Sequence, residues 1–117
     1  SCTPQEKHKD DSYPSSHAAI GLAWALLLSE LAPDRAEHVL ARGLSFGESR
    51  IICGVHWKSD VEAGRLVGAS AISAVHANPV FAAQVSLARQ EVDAARRAGT
   101  KSPLDCQTES RTLAVPQ

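Results

Sequence analysis

The 117-residue sequence has no methionine and few aromatics, with two Trp, two Phe and one Tyr. It also lacks an excess of either charge, since 12 Lys and Arg stand against 13 Asp and Glu. Without a basic run, binding to nucleic acid through phosphate neutralisation is not expected, and neither is a polybasic membrane anchor. Long hydrophobic runs are missing too. The longest, Ala18 to Leu28, has 11 residues and stops at Ser29-Glu30. Crossing a bilayer takes about 20, so the run reads as a core helix and no membrane span is expected. Ser1-Cys2-Thr3-Pro4 leads into the charge-rich stretch Gln5 to Asp11, which is no signal peptide. Any export signal is therefore expected upstream, and the chain is read as a mature or cut product, or a fragment.

Three cysteines, Cys2, Cys53 and Cys106, lie far apart with no Cys-x-x-Cys pair. That spacing fits neither a zinc ribbon nor a thioredoxin-like redox site. An odd count leaves one thiol free or paired outside the chain, and a bridge requires an oxidising compartment. The sequence alone does not choose among the pairings.

What is present suffices for one domain. Hydrophobic residues make up 44% of the chain, and a chain of this size buries roughly 65% of its unfolded surface. Whole-chain disorder is thereby disfavoured. Residues 1–13 read as a polar lead-in, 14–99 as a helical core and 100–117 as a flexible tail rich in Pro, Ser, Thr and Gln.

Helical spacing dominates the core. Ile20, Trp24, Leu27, Leu28 and Leu31 follow the cap-like Ser15-Ser16, and Pro33 ends that run. Asp34 with Glu37 resembles a capping box for a second helix carrying Ala36, Val39, Leu40 and Gly43, with a break allowed at Gly47 before Cys53. Ser59-Asp60-Val61-Glu62 resembles another capping box, opening a third helix to about His76. Gly64 and Gly68, four apart, permit close helix contact there. Asn78-Pro79 starts a fourth helix, with Phe81, Val85, Ala88, Val92 and Ala95 in one stripe and Arg96-Arg97-Gly99 at its end. No repeat and no strand is expected, so the class is all-α.

Chemistry concentrates in two stretches. In Tyr13-Pro14-Ser15-Ser16-His17 the proline keeps the preceding residue extended and the serines can cap. The outward N–H groups of a helix start suit an anion such as phosphate. On its own the stretch reads more simply as an ordinary cap. In Ser49-Arg50-Ile51-Ile52-Cys53-Gly54-Val55-His56-Trp57-Lys58-Ser59-Asp60, His56 and Asp60 are four apart. A carboxylate there can accept the Nδ1 proton and leave Nε2 unprotonated, as a nucleophile or base. Arg50 adds a planar fork for two phosphoryl oxygens, and Gly54 allows a tight turn. Alone, this second stretch reads more often as a surface ion pair.

The joint pattern is more specific. Pro-Ser-Ser-His is followed, after 31 residues, by Ser-Arg-x5-His-x3-Asp. The chain thus resembles the bacterial class A non-specific acid phosphatases, of the type 2 phosphatidic acid phosphatase superfamily that also includes vanadium haloperoxidases. Their signature runs Lys-x6-Arg-Pro, then Pro-Ser-Gly-His, then Ser-Arg-x5-His-x3-Asp, and the last two parts are matched here between about Cys2 and Arg97. Ser12-Tyr13-Pro14, Ile52-Cys53-Gly54, His56-Trp57 and Ser59-Asp60-Val61 extend the likeness.

The resemblance implies a helical bundle of the phosphatase and haloperoxidase type that hydrolyses small phosphate monoesters. His56 would form a phosphohistidine while Asp60 fixes its tautomer. His17 would serve as general acid and then base, and Arg50, the Ser15 hydroxyl and the Ser16 N–H would cradle the phosphoryl oxygens. No metal or cofactor is implied, and phosphate or vanadate would occupy the same pocket. A periplasmic or secreted location follows from the same likeness. Phosphotransfer and vanadate-dependent halide oxidation are alternatives within the superfamily, and a catalytically incomplete helical fragment acting as an assembly module is an alternative outside it. Cys2 and Cys53, which flank the two stretches, are the preferred disulfide pair, with Cys2–Cys106 as rival.

Two departures from the signature matter. Ser16 stands where the signature has glycine, which would bring strain if the site needed positive φ. No Arg-Pro pair occurs in the sequence, so the first motif and its two phosphate cations are absent. The chain is therefore expected to be the C-terminal portion of a longer enzyme, inefficient alone. An upstream segment, a separate N-terminal chain or a second copy is expected to cover the apolar first helix. His8, His38 and His76 lack ligand spacing and are expected at the surface rather than on zinc. Trp24 is expected in the core, Trp57 as either core or substrate platform, and Arg89 to Arg97 as a solvated face.

Overall fold

The computed structural model describes Cys2 and residues 12–114. Helices α1 (Ser16–Leu31), α2 (Ala36–Ile52), α3 (Lys58–Val75), α4 (Pro79–Arg97) and α5 (Cys106–Leu113) follow in order, with a 3₁₀ turn at Pro33–Arg35. There is no strand among the described residues. The all-α class is as expected.

Helix α1 is the central element, and small residues let its neighbours approach. On one side Gly43 of α2 lies against Ala25 and the Gly21 carbonyl, so closely that a Cβ there would overlap both. On another side Gly64 and Gly68 of α3 face the Ser15 and Ala19 carbonyls with no room for a side chain. Gly47 of α2 fills the junction, facing Val61 and Ala18. Ala18, Ala25 and Val61 are buried there, as are Ser15 and Asp60. The core is thus narrow and built from small groups, and backbone approach, rather than bulk, joins the three helices.

Helix α4 folds back across a 99° bend between α3 and α4. Arg89 donates to the Glu30 carbonyl at 2.6 Å, Arg96 grips Asp34 through both terminal nitrogens at 2.8 and 2.6 Å, and His76 meets Glu30 at 2.5 Å. The arginine face expected to be solvated is exposed but partnered. His38 and His76 are exposed as expected, and His8 lies outside the described residues.

Several expectations are corrected. Asp34 does not cap α2, because Pro33 starts a 3₁₀ turn and the Asp34 carboxylate goes to Arg96. Gly47 does not break α2, because its missing side chain is what lets α3 and α1 close on it. Helix α3 starts at Lys58 instead of after Ser59, since Asp60 reaches back to the Trp57 N–H at 3.0 Å and makes Trp57 the cap. The expected tail carries α5, capped by the Asp105 carboxylate at Gln107 and Thr108 and joined to α2 by an Arg42–Glu109 ion pair. Trp24 is 68% exposed rather than core. With Ile20 and Leu28 it lines a groove of about 630 Å³ between α1, α2 and α5, because α2 and α3 cover only the other faces of α1. No single helix among the described residues is long and apolar enough to cross a membrane.

Cys2 and Cys53 form a disulfide spanning 51 residues, and Cys106 is an exposed free thiol. The preferred pairing stands. By loop-closure entropy a bridge of that span contributes about 4 kcal/mol. Alkylation without reductant should label Cys106 alone, and reduction should lower the urea midpoint. Gly64→Ala should cost roughly 1–3 kcal/mol in urea unfolding, because the Ser15 carbonyl has to move.

Candidate active site

The two stretches singled out in the sequence meet where α1 and α3 begin. The Ser15 N–H donates to the Asp60 carbonyl at 2.9 Å, which joins the starts of the two helices. Ser15 then caps α1, its hydroxyl accepting from the Ala18 N–H at 3.3 Å and its carbonyl from Ala19 at 3.0 Å. The residue is fully buried. Capping uses an oxygen lone pair and leaves the hydroxyl proton available. Ser16 and His17 occupy the first helical positions, whose N–H groups have no partner within a helix. No non-glycine residue has positive φ among the described residues, so Ser16 takes the place of the signature glycine without backbone strain.

The second stretch is delivered by a helix end. Past Cys53, the Val55 N–H donates to the Arg50 carbonyl and the Gly54 N–H to that of Ile51, a Schellman pair. Gly54 sits at φ +68°, where only glycine is unstrained. The His56 N–H also bonds the Arg50 carbonyl, at 3.2 Å. The turn therefore holds His56 directly against the residue expected to bind phosphate.

The Asp60 side chain has several partners. Its Oδ2 accepts from the Ser12 hydroxyl at 2.6 Å and from the Trp57 N–H at 3.0 Å, and lies 3.4 Å from His56 Nδ1. Ser59 approaches Oδ1 at 3.4 Å. Chiefly the Ser12 hydroxyl, then the Trp57 N–H, with His56 and Ser59 adding, hold its carboxyl below the usual carboxylate value. It therefore stays ionised beside His56. Donation from Nδ1 to this carboxylate leaves the Nε2 lone pair outward. In the sequence Ser12 belongs to the likeness only as part of Ser12-Tyr13-Pro14. Its role had no spacing signal, because a hydroxyl 48 residues from its acceptor is placed by the fold.

His17 lies within reach of the same centre. Burial, then the positive charge of Arg50, with neighbouring His56 adding, push its pKa below 6.5. Its ring also stands 6.0 Å from that of Phe46. The structure thus gathers His17, Arg50, His56 and Asp60, with Ser15 and Ser16 at the adjoining helix start. The absent first motif has no counterpart to place. Among the described residues no group of three or more His, Cys, Asp or Glu is arranged to hold a metal ion. Trp57 is 77% exposed beside His56, so it is not core.

Two histidines, an arginine, a carboxylate and the helix-start N–H groups of α1 thus come together on a helical scaffold. Residues 1–82 match the PAP2 superfamily, and the chain belongs to it. It is 49% identical over 83 residues to a non-specific acid phosphatase of Providencia stuartii, covering 71% of this chain and 34% of that protein. It is 45% identical over 112 residues to an acid phosphatase of Zymomonas mobilis, covering 92% and 42%. A non-specific acid phosphatase of Salmonella typhimurium is 44% identical over 95 residues, covering 79% and 38%. The chain thus spans between a third and about two fifths of the length of these curated relatives.

His17 should titrate below pH 6.5, read by NMR of the ring. Arg50→Ala should raise its midpoint by removing a neighbouring cation, and added phosphate should raise it by supplying an anion. Asp60 is shifted in the same direction, but by hydrogen bonds that favour its charged form. Its folded carboxyl titrates below the ordinary 3.8, so its stabilisation is complete above that range and is lost as pH falls through the lowered value. Asp60→Asn should flatten the acid limb of a stability–pH profile.

Proposed function

We propose that the chain carries the phosphohistidine-forming part of an acid phosphatase acting on small phosphate monoesters. The observation that carries this reading is the gathering of His17 and Arg50 around His56, with Asp60 ionised behind it. The family membership and the names of the relatives support it.

In this mechanism His56 Nε2 attacks phosphorus and the ester P–O bond breaks. The leaving oxygen takes a proton from His17, and Asp60 balances the charge on the His56 ring. Water then attacks the phosphohistidine, His17 takes the water proton, and phosphate leaves. Arg50, the Ser15 hydroxyl and the Ser16 N–H stabilise the three equatorial oxygens, so the reading calls on no metal ion. Because burial and neighbouring cations keep His17 neutral at neutral pH, its acid role favours acidic conditions.

The Cys2–Cys53 bridge supports a periplasmic or secreted location. Cations equivalent to the absent first motif would come from an upstream segment or chain. As a second reading, the exposed Ile20, Trp24 and Leu28 favour a helical portion that works only after assembly.

In the complete enzyme His56→Ala should abolish turnover, and His17→Ala should still allow phosphorylation by a substrate with a good leaving group. Acid-labile phosphate trapped on His17 instead of His56 would refute the assignment of roles. On p-nitrophenyl phosphate at mildly acidic pH, the purified chain should be at least ~10²–10³-fold slower than the same chain complemented with an upstream segment. Equal rates would show that this chain needs no further cations.

A further inference from the structure

Helix α2 carries Arg50 and α3 is entered through His56 and Asp60, so the site depends on how α2 is rolled and seated on α3. The direct seat is slight: Gly47 meets Val61. Arg65, one turn beyond Val61 on α3, spans that seat. Its Nη2 donates to the Leu44 carbonyl and to Glu48 Oε1, both at 2.9 Å. The guanidinium therefore brackets the turn of α2 immediately before Ser49-Arg50, passing over Gly47, where a Cβ would lie 3.4 Å from Nη2.

The bracket is poorly explained as a stabilising ion pair. Glu48 is 38% exposed and Arg65 22%, and pairs this wet contribute little. Arg65 Nε is buried and has no partner among the described residues, which is itself a cost. What the bracket does is geometric. Two acceptors one turn apart on one helix, Leu44 and Glu48, fix both its roll and its axial position, and any roll of α2 carries Arg50 through the same angle.

We propose that Arg65 and Glu48 are positioning residues, a strut between α3 and α2 that sets the placement of Arg50 against His17 and His56. This inference rests on the proposed function for its catalytic meaning, but its geometric content is independent of it. Arg65 and Glu48 touch no reacting atom. The strut would hold the phosphate-binding cation to the spacing that the two histidines require, without being part of the signature.

Substitutions that separate geometry from charge test this in the intact chain, with the His17 ring titration as readout. Arg65→Lys keeps the charge and loses the two-acceptor bracket. Glu48→Ala removes a negative charge, which by charge alone would lower the His17 midpoint. Displacement of Arg50 instead raises it. Both variants should therefore raise the midpoint, by about half a pH unit, while the His76 titration on the far side of the fold stays where it is. Glu48→Gln, which keeps an acceptor for Arg65, should restore most of the wild-type midpoint. An unchanged or lowered His17 midpoint in Glu48→Ala, with far-UV circular dichroism intact, would overturn the strut. If Arg65→Lys unfolds, Glu48→Ala alone decides, since it leaves α3 untouched. A failure of the phosphatase reading would appear differently, as no phosphohistidine on His56, with these titrations unaffected.

Discussion

The starts of α1 and α3 are held together by one backbone hydrogen bond, from the Ser15 N–H to the Asp60 carbonyl. Almost everything else in the site hangs from that junction. It brings the cap of α1, with the N–H groups of Ser16 and His17, beside the carboxylate that faces His56. The junction is possible only because Gly64 presents bare backbone to the Ser15 carbonyl. A side chain at that position would push the two helix starts apart, and the two chemical stretches with them.

A second device fixes the other half of the site. Arg50 and His56 are six residues apart, too far to be neighbours on one helix face at the end of α2. The Schellman turn at Gly54 reverses the chain so that the His56 N–H returns to the Arg50 carbonyl. The Cys2–Cys53 bridge ties the lead-in to the residue before that turn. Local helix chemistry, rather than a large hydrophobic core, therefore positions these side chains. That is consistent with a core made of Ala18, Ala25 and Val61.

The uncovered side of α1 is the counterpart of this economy. The helix is apolar on nearly all sides, yet α2 and α3 cover only part of it, leaving Ile20, Trp24 and Leu28 at least 45% exposed. Its lack of a polar face was readable as a call for neighbours on several sides. Trp24 is exposed where burial is expected, because an apolar stripe reports which side wants burial and not whether a partner is there to bury it.

Much of the molecule was legible in one dimension. Periodicity located four helices, because amphipathic spacing, Pro33 and the Asn78-Pro79 start are local signals. The pattern Pro-Ser-Ser-His with Ser-Arg-x5-His-x3-Asp pointed to His17, Arg50, His56 and Asp60, which the fold brings together, because short fixed spacings along helix ends are readable in one dimension. Tertiary structure alone decided the rest. It sent the Asp34 carboxylate to Arg96 instead of to a cap, turned Gly47 from a possible break into a packing surface, and gave Asp60 its Ser12 donor. It also laid Arg65 across α2. The physical reason is common to all four. Each choice is a competition between a local partner and one that is distant in sequence, and only the packed chain determines which of them lies within hydrogen-bonding or van der Waals reach.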